Sequence, residues 1–188
     1  HHALDAGPHL VGRPLGDEAA VRALAAAADV DVANLNAPGQ IVISGERAKV
    51  ETAVGLAREY GVRRATLLNV AGAYHSRLMQ SAYLQVGEAL RDVALQKPSF
   101  AVISNVNGAQ VESADEIRGA LQKQVTATVR WTDCMERMLA MGCNLFLGLG
   151  PGGVLHRHRK LMPTMQERVF HGFGTGEDLG VTPTPAGR

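Results

Sequence analysis

Between Asp17 and Val70 the spacing of apolar residues switches repeatedly between helical and strand periods, and this limits the fold more than any other feature. Val21, Leu24, Ala25 and Ala28 fall on one face of an alanine-rich helix. Val30 to Leu35 alternates as a strand, Asn36-Ala37-Pro38-Gly39 turns the chain, and Gln40 to Ser44 follows as a second strand, a hairpin with a longer loop. Glu46 to Tyr60 is a helix with Val50, Ala53, Val54 and Ala57 on one face, ended by Gly61 at C′. Arg63 to Val70 is the next strand. With an edge strand over His9 to Leu15, where Pro14 is tolerated, the order predicts a ferredoxin-like, split βαβ subdomain over residues 1–70.

Beyond it, Met79, Ala82, Tyr83, Val86, Leu90 and Val93 mark a long helix that ends before Pro98. Phe100 to Ser104 reads as a short strand and Asn107-Gly108 as a turn. Ser113-Ala114-Asp115-Glu116 fits a capping box that opens a helix through Gln124. A further helix runs from Thr132 to Met141, and Asn144 to Leu149 is an apolar strand. Gly150-Pro151-Gly152-Gly153 leads into Val154-Leu155 and the basic start of a helix, Arg168 to Phe173 reads as a last strand, and residues 174–188 as a flexible tail. Strands separated by helices predict a parallel sheet covered by helices over residues 71–173, so the class is α/β.

Bulk properties exclude several functions. The 188 residues are 46% hydrophobic, enough to bury a core, and a net charge of +1 argues against a nucleic-acid binder. Two cysteines, Cys134 and Cys143, make no disulfide framework; they read as core residues of a chain in a reducing, cytoplasmic setting. No apolar run reaches the length of a membrane span and no signal peptide is visible. The chain opens on His1-His2 without methionine and is therefore read as a fragment or processed product.

The candidate chemistry centres on His75, at a strand-to-helix junction where catalytic groups are commonly displayed. An imidazole titrating near neutral pH can take a proton from a nucleophile and return it to a leaving group. An isolated histidine at a helix start is more often structural. Ser76 is a poor nucleophile, being adjacent in sequence, and is better suited to cap the helix. No Gly-x-Ser-x-Gly occurs anywhere. The glycines at 150–153 lack the lysine and hydroxyl of a P-loop. The basic run His156-Arg157-His158-Arg159-Lys160 is either a solvated face or a docking patch for an acidic partner or phosphates, and histidines two apart on a helix do not form a metal site.

Four motifs occur in one order: residues 34–45 (NLNAPGQIVISG), residues 72–79 (GAYHSRLM), Gln124 with Val129-Arg130-Trp131, and residues 149–155 (LGPGGVL). Together they resemble the malonyl-CoA:acyl-carrier-protein transacylases and the acyltransferase domains of fatty-acid and polyketide synthases, over about Asp17 to Phe173. The resemblance implies a serine–histidine pair on an α/β-hydrolase-like domain with a ferredoxin-like subdomain beside it. Malonyl would pass from coenzyme A to the serine and then to the phosphopantetheine thiol of acyl carrier protein. His75 matches the catalytic histidine, and Gln124 a position whose main-chain carbonyl holds the other ring nitrogen. Tyr74, Ser76 and Asn36 are implied as substrate-binding, Tyr74 by excluding an α-methyl group. The expected partners are malonyl-CoA and acyl carrier protein, with no nucleic acid and no membrane. No cofactor is expected beyond the coenzyme A thioester as substrate, no metal, and a monomer.

The serine elbow and the arginine that pairs with the malonyl carboxylate would lie N-terminal to these motifs and match no residue here. Gly148 stands where an acidic residue is common and Thr128 where proline is usual, which suggests a divergent or impaired member. The alternatives are a non-enzymatic fragment or carrier-protein-binding module, and an acyltransferase domain of a polyketide synthase.

Overall fold

The structure, a computed structural model, describes residues 9–12, 18–68, 70–150 and 153–159, with side chains described for all of these except 9–12, 147–150 and 153–159. The expected strand at 168–173, the tail and Lys160 lie outside the described residues. The chain divides into two compact units, His1–Cys134 and Met135–Arg188.

The first unit contains β1 (His9–Gly12), α1 (Glu18–Ala27), β2 (Asp31–Ala37), β3 (Gln40–Ser44), α2 (Arg47–Leu56) and β4 (Ala65–Leu68). The strands form one sheet in the order β2-β3-β1-β4, and every neighbouring pair is antiparallel. Each helix thus links two strands that lie parallel with a third strand between them. The helices and sheet share one cluster: Val21, Leu24 and Ala25 from α1, Val50 and Ala53 from α2, and Val32, Leu35, Ile41 and Ile43 from the sheet. Alternation puts Val42 on the opposite face of β3 from Ile41 and Ile43, and it too is buried, so both faces of that strand are covered. After α2 the chain makes turns to Gly61, whose φ of 77° is a conformation only glycine adopts without strain, and an added Cβ would meet nothing there.

The rest of the unit is built from α3 (Gln80–Leu90), β5 (Val102–Ser104), β6 (Ala109–Val111), α4 (Ala114–Lys123) and the start of α5 (Trp131–Ala140). The long helix expected up to Val93 is shorter: a 3₁₀ turn, Arg77–Met79, precedes α3, and residues 93–98 are neither helix nor strand. Arg118 of α4 accounts for the stop, because its guanidinium donates to the carbonyls of Leu90 and, at 2.9 Å, Val93, taking up groups that would otherwise need a further helical turn. The capping box at α4 forms in a modified way. The Ser113 hydroxyl accepts from Glu116 N–H at 3.2 Å, while the Glu116 carboxylate accepts from Glu112 N–H at 2.6 Å, one residue earlier than the usual partner.

The second unit contains the antiparallel pair β7 (Leu145–Gly150) and β8 (Gly153–Arg159). The sequence suggested a basic helix start at 154; instead the backbone from Gly153 to Arg159 pairs antiparallel with that of Leu145 to Gly150. Among the described residues all strand pairs are antiparallel, and an isolated parallel bridge joins Asn34 to Val129. Among the described residues no helix is long and apolar enough to cross a membrane.

Leu24 has no exposed surface and joins α1 to the sheet. Leu24→Ala is expected to lower unfolding stability by about 2–5 kcal/mol, through lost transfer energy and an unfilled cavity. Urea unfolding monitored by circular dichroism checks this, and a loss below about 1 kcal/mol would show that the cluster is not the core of this unit.

Candidate active site

β4 leads into a turn of small residues, and His75 stands within it with φ 56°, left-handed backbone that a residue bearing a Cβ adopts at a cost. Ser76 immediately follows and has no exposed surface. Its hydroxyl donates to the Ala73 carbonyl at 2.6 Å and accepts from Leu78 N–H at 3.2 Å, so it closes the turn and caps the 3₁₀ turn that precedes α3. Both bonds are local and are those of the capping role that the sequence suggests for Ser76. Tyr74 is 46% exposed, and its ring lies so close to Gly72 that a Cβ there would sit 2.9 Å from the ring carbon Cζ.

The Nδ1 of half-buried His75 lies 2.9 Å from the main-chain carbonyl of Gln124, the C-cap of α4. A carbonyl only accepts, so Nδ1 must carry the hydrogen and donate it, leaving Nε2 with its lone pair. The Gln124 side-chain Nε2 also lies 3.4 Å from Nδ1. It cannot donate to a nitrogen that is already a donor, so the shorter carbonyl contact defines the hydrogen bond. Gln124 meets His75 through its backbone, and an imidazole held this way is a proton acceptor of fixed tautomer.

The segment after Gln124 is tied down along β2. The Thr128 hydroxyl donates to Val32 O at 2.7 Å, Val129 N–H to Ala33 O at 2.8 Å, Leu35 N–H to Val129 O at 2.8 Å, and the Thr132 hydroxyl to Leu35 O at 3.1 Å. Arg130 N–H adds a bond to Asn105 O at 2.8 Å. Thr128, which stands where proline is usual, supplies one of these ties. Asn36 is half-buried in β2 at one of two register shifts, where a bulge can re-aim a side chain. The structure brings Gln124 to His75; it records no hydrogen bond between Asn36 and either.

Sequence reasoning missed the charged groups on the other side of the turn. Arg77 pairs with Asp31 and Asp29, and Lys49 with Asp29 and Glu46. Lys49 and then Arg77 hold the Asp29 carboxyl below its usual 3.8. Asp29 sits at φ 53°, a conformation that Asp and Asn tolerate better than most side chains. Cys134 is buried, its thiol 3.5 Å from Ser104 O, and burial pushes its pKa up, so it serves packing and not nucleophilic attack. Cys143, expected in the core, is exposed because it follows the glycine turn that ends α5. Among the described residues no group of three His, Cys, Asp or Glu side chains could hold a metal ion.

No family model matches the chain. Its sequence is 38% identical over 127 residues to the malonyl CoA-acyl carrier protein transacylase of Haemophilus influenzae, covering 68% of this chain and 41% of that protein. With the Bacillus subtilis protein of the same name the identity is 40% over 126 residues, covering 67% and 40%. The fold superposes with a TM-score of 0.70 on the crystal structure of an acyl carrier protein S-malonyltransferase from Vibrio cholerae, at 36% identity, covering 76% of this chain and 48% of that one. A complex of a type II polyketide synthase acyl-carrier protein with its malonyl-transacylase gives 0.69 at 34% identity, covering 74% and 46%. Fold and site together define an α/β protein with a carbonyl-anchored histidine. The chain belongs to the malonyl CoA-acyl carrier protein transacylase family and spans less than half the length of the relatives it matches.

Because the folded Asp29 carboxyl titrates below the unfolded one, its pairing stabilises the chain above about pH 3.8, and this contribution is lost as pH falls through the lower folded value. Asp29→Asn, which keeps the backbone conformation accessible, is expected to be less stable than wild type at neutral pH, with the gap closing below pH 3.8. Thermal unfolding across pH checks this; a gap independent of pH would show that the ion pairs do not cause it.

Proposed function

We propose that the protein carrying this chain transfers malonyl from coenzyme A to the phosphopantetheine thiol of acyl carrier protein through a seryl acyl-enzyme, with His75 as its acid–base group. The observation that carries the reading is the 2.9 Å bond from His75 Nδ1 to the Gln124 carbonyl, which leaves Nε2 able to accept a proton. Family membership adds to it, since relatives bear malonyl CoA-acyl carrier protein transacylase names, one of them in polyketide biosynthesis.

In this reading His75 Nε2 takes the hydroxyl proton as the serine attacks the malonyl thioester, then returns it to the departing coenzyme A sulfur. In the second half Nε2 takes the proton of the incoming pantetheine thiol and returns it to the serine oxygen as the acyl group leaves. The Gln124 carbonyl stabilises the imidazolium in both halves, as the aspartate does in a serine-protease triad. The serine would come from a segment outside these 188 residues, which contain no Gly-x-Ser-x-Gly. Tyr74, beside the histidine and exposed, would select malonyl over a branched acyl group, a discrimination worth about 1–3 kcal/mol. Asn36 would line the cleft edge. The order β2-β3-β1-β4 supports reading the first four strands as a ferredoxin-like subdomain; a hydrolase-like domain beside it rests on the family likeness. No cofactor is required, coenzyme A entering only as the thioester substrate, and the setting would be cytoplasmic.

In the protein with its serine segment, His75→Ala is expected to lower kcat/KM for malonyl transfer by roughly 10²–10⁴-fold. Gln124→Ala is expected to stay within a few-fold of wild type, because the carbonyl survives the substitution. Unchanged transfer in the His75 variant would overturn the assignment. A loss in Gln124→Ala as large as that in His75→Ala would assign the role to its side chain.

A further inference from the structure

The turn that bears His75 is held from its other side by charges that acid–base chemistry does not itself require. Asp31 Oδ2 accepts from Arg77 backbone N–H at 2.8 Å and from Arg77 Nε at 3.1 Å. The Arg77 guanidinium also reaches Asp29 Oδ1 at 2.8 Å, and Lys49 Nζ reaches Asp29 Oδ2 at 2.7 Å and Glu46 at 3.1 Å. The cluster joins the start of β2, the first turn of α2 and the residue two places after His75.

An exposed ion pair taken alone contributes little, and the Arg77 side chain is 56% exposed. What sets this one apart is the backbone bond. Asp31 grips main chain beside the histidine, with a charged acceptor that strengthens the bond. On the near side the Ser76 hydroxyl grips Ala73 O. His75 thus lies between two anchors, in a left-handed conformation that persists only where the surroundings over-determine it.

We propose that Asp31 and Arg77 are positioning residues for His75, holding its backbone so that Nδ1 meets the Gln124 carbonyl and Nε2 remains the unprotonated nitrogen. The consequence for catalysis rests on the acyl-transfer reading, but the positioning is visible without any transfer. Asp31 grips both the main chain and the side chain of Arg77, so its loss costs more than loss of the guanidinium. Arg77→Met keeps the backbone bond and forfeits the ion pairs.

The test is the imidazole tautomer, read from long-range ¹H–¹⁵N spectra of the labelled chain at a pH where His75 is neutral. Wild type is expected to show Nδ1 protonated and Nε2 bare. Asp31→Ala is expected to shift both nitrogens toward the values of an unrestrained histidine, and Arg77→Met part of the way. Both variants should keep the wild-type far-ultraviolet circular dichroism. A wild-type His75 without the fixed tautomer overturns the proposal, as does a folded Asp31→Ala that retains it. If Asp31→Ala does not fold, an unshifted Arg77→Met overturns it. Unfolding of both variants also overturns it, because the ion cluster would then serve the whole fold and not the histidine. Absence of malonyl transfer by the protein with its serine segment, alongside the expected shifts in the labelled chain, would remove the functional reading and leave this one standing.

Discussion

A main-chain carbonyl can accept a hydrogen bond and can do nothing else, and the site depends on that limitation. Because the Gln124 carbonyl faces His75 Nδ1, the ring has one tautomer and one free lone pair. A carboxylate could do the same and add a full charge. The carbonyl instead contributes the partial negative end of α4, whose last C=O groups lack partners within the helix. The orientation of the imidazole is therefore only as well defined as the backbone at the end of that helix.

That backbone is secured by β2. The strand is the outermost of its sheet, with β3 on one side, and an outer strand would ordinarily present unpaired polar groups. Residues 128–132 cover it: Val32, Ala33 and Leu35 all exchange hydrogen bonds with Thr128, Val129 or Thr132. The same short strand presents Val32 and Leu35 to the core and Asp31 to Arg77. Its register shifts with β3 leave Ala33 and Asn36 without a partner in that ladder, as bulges at a sheet edge do. One strand connects the hydrophobic cluster, the carbonyl that holds the histidine and the turn that displays it.

The parts readable in the sequence are those set by short-range periodicity. The switches between helical and alternating spacing located α1, β2, β3, α2 and β4, and Ser76 and Ser113 were legible as caps because a cap needs only its next few residues. β8 was misread because charge in a run such as His156 to Arg159 carries no period, and its strand state comes from pairing with β7. The end of α3 was missed because Arg118, which takes up its last carbonyls, lies 28 residues beyond Leu90. Asp31 and Thr128 give no local sign of their partners. Gln124 acts through a group that every residue possesses, so only family likeness could single it out.

The holders of the histidine turn are distant along the chain. Gln124 lies 49 positions from His75, Asp31 lies 46 from Arg77, and the threonine ties to β2 span 96 and 97 positions. Loop-closure entropy must be overcome before such contacts return anything, so local helices and the β2–β3 hairpin form readily while the geometry around His75 waits for remote segments to meet. The site is accordingly the late-assembling part of this unit. Amide hydrogen exchange is expected to place the turn at 73–78 among the segments that open before the core cluster does.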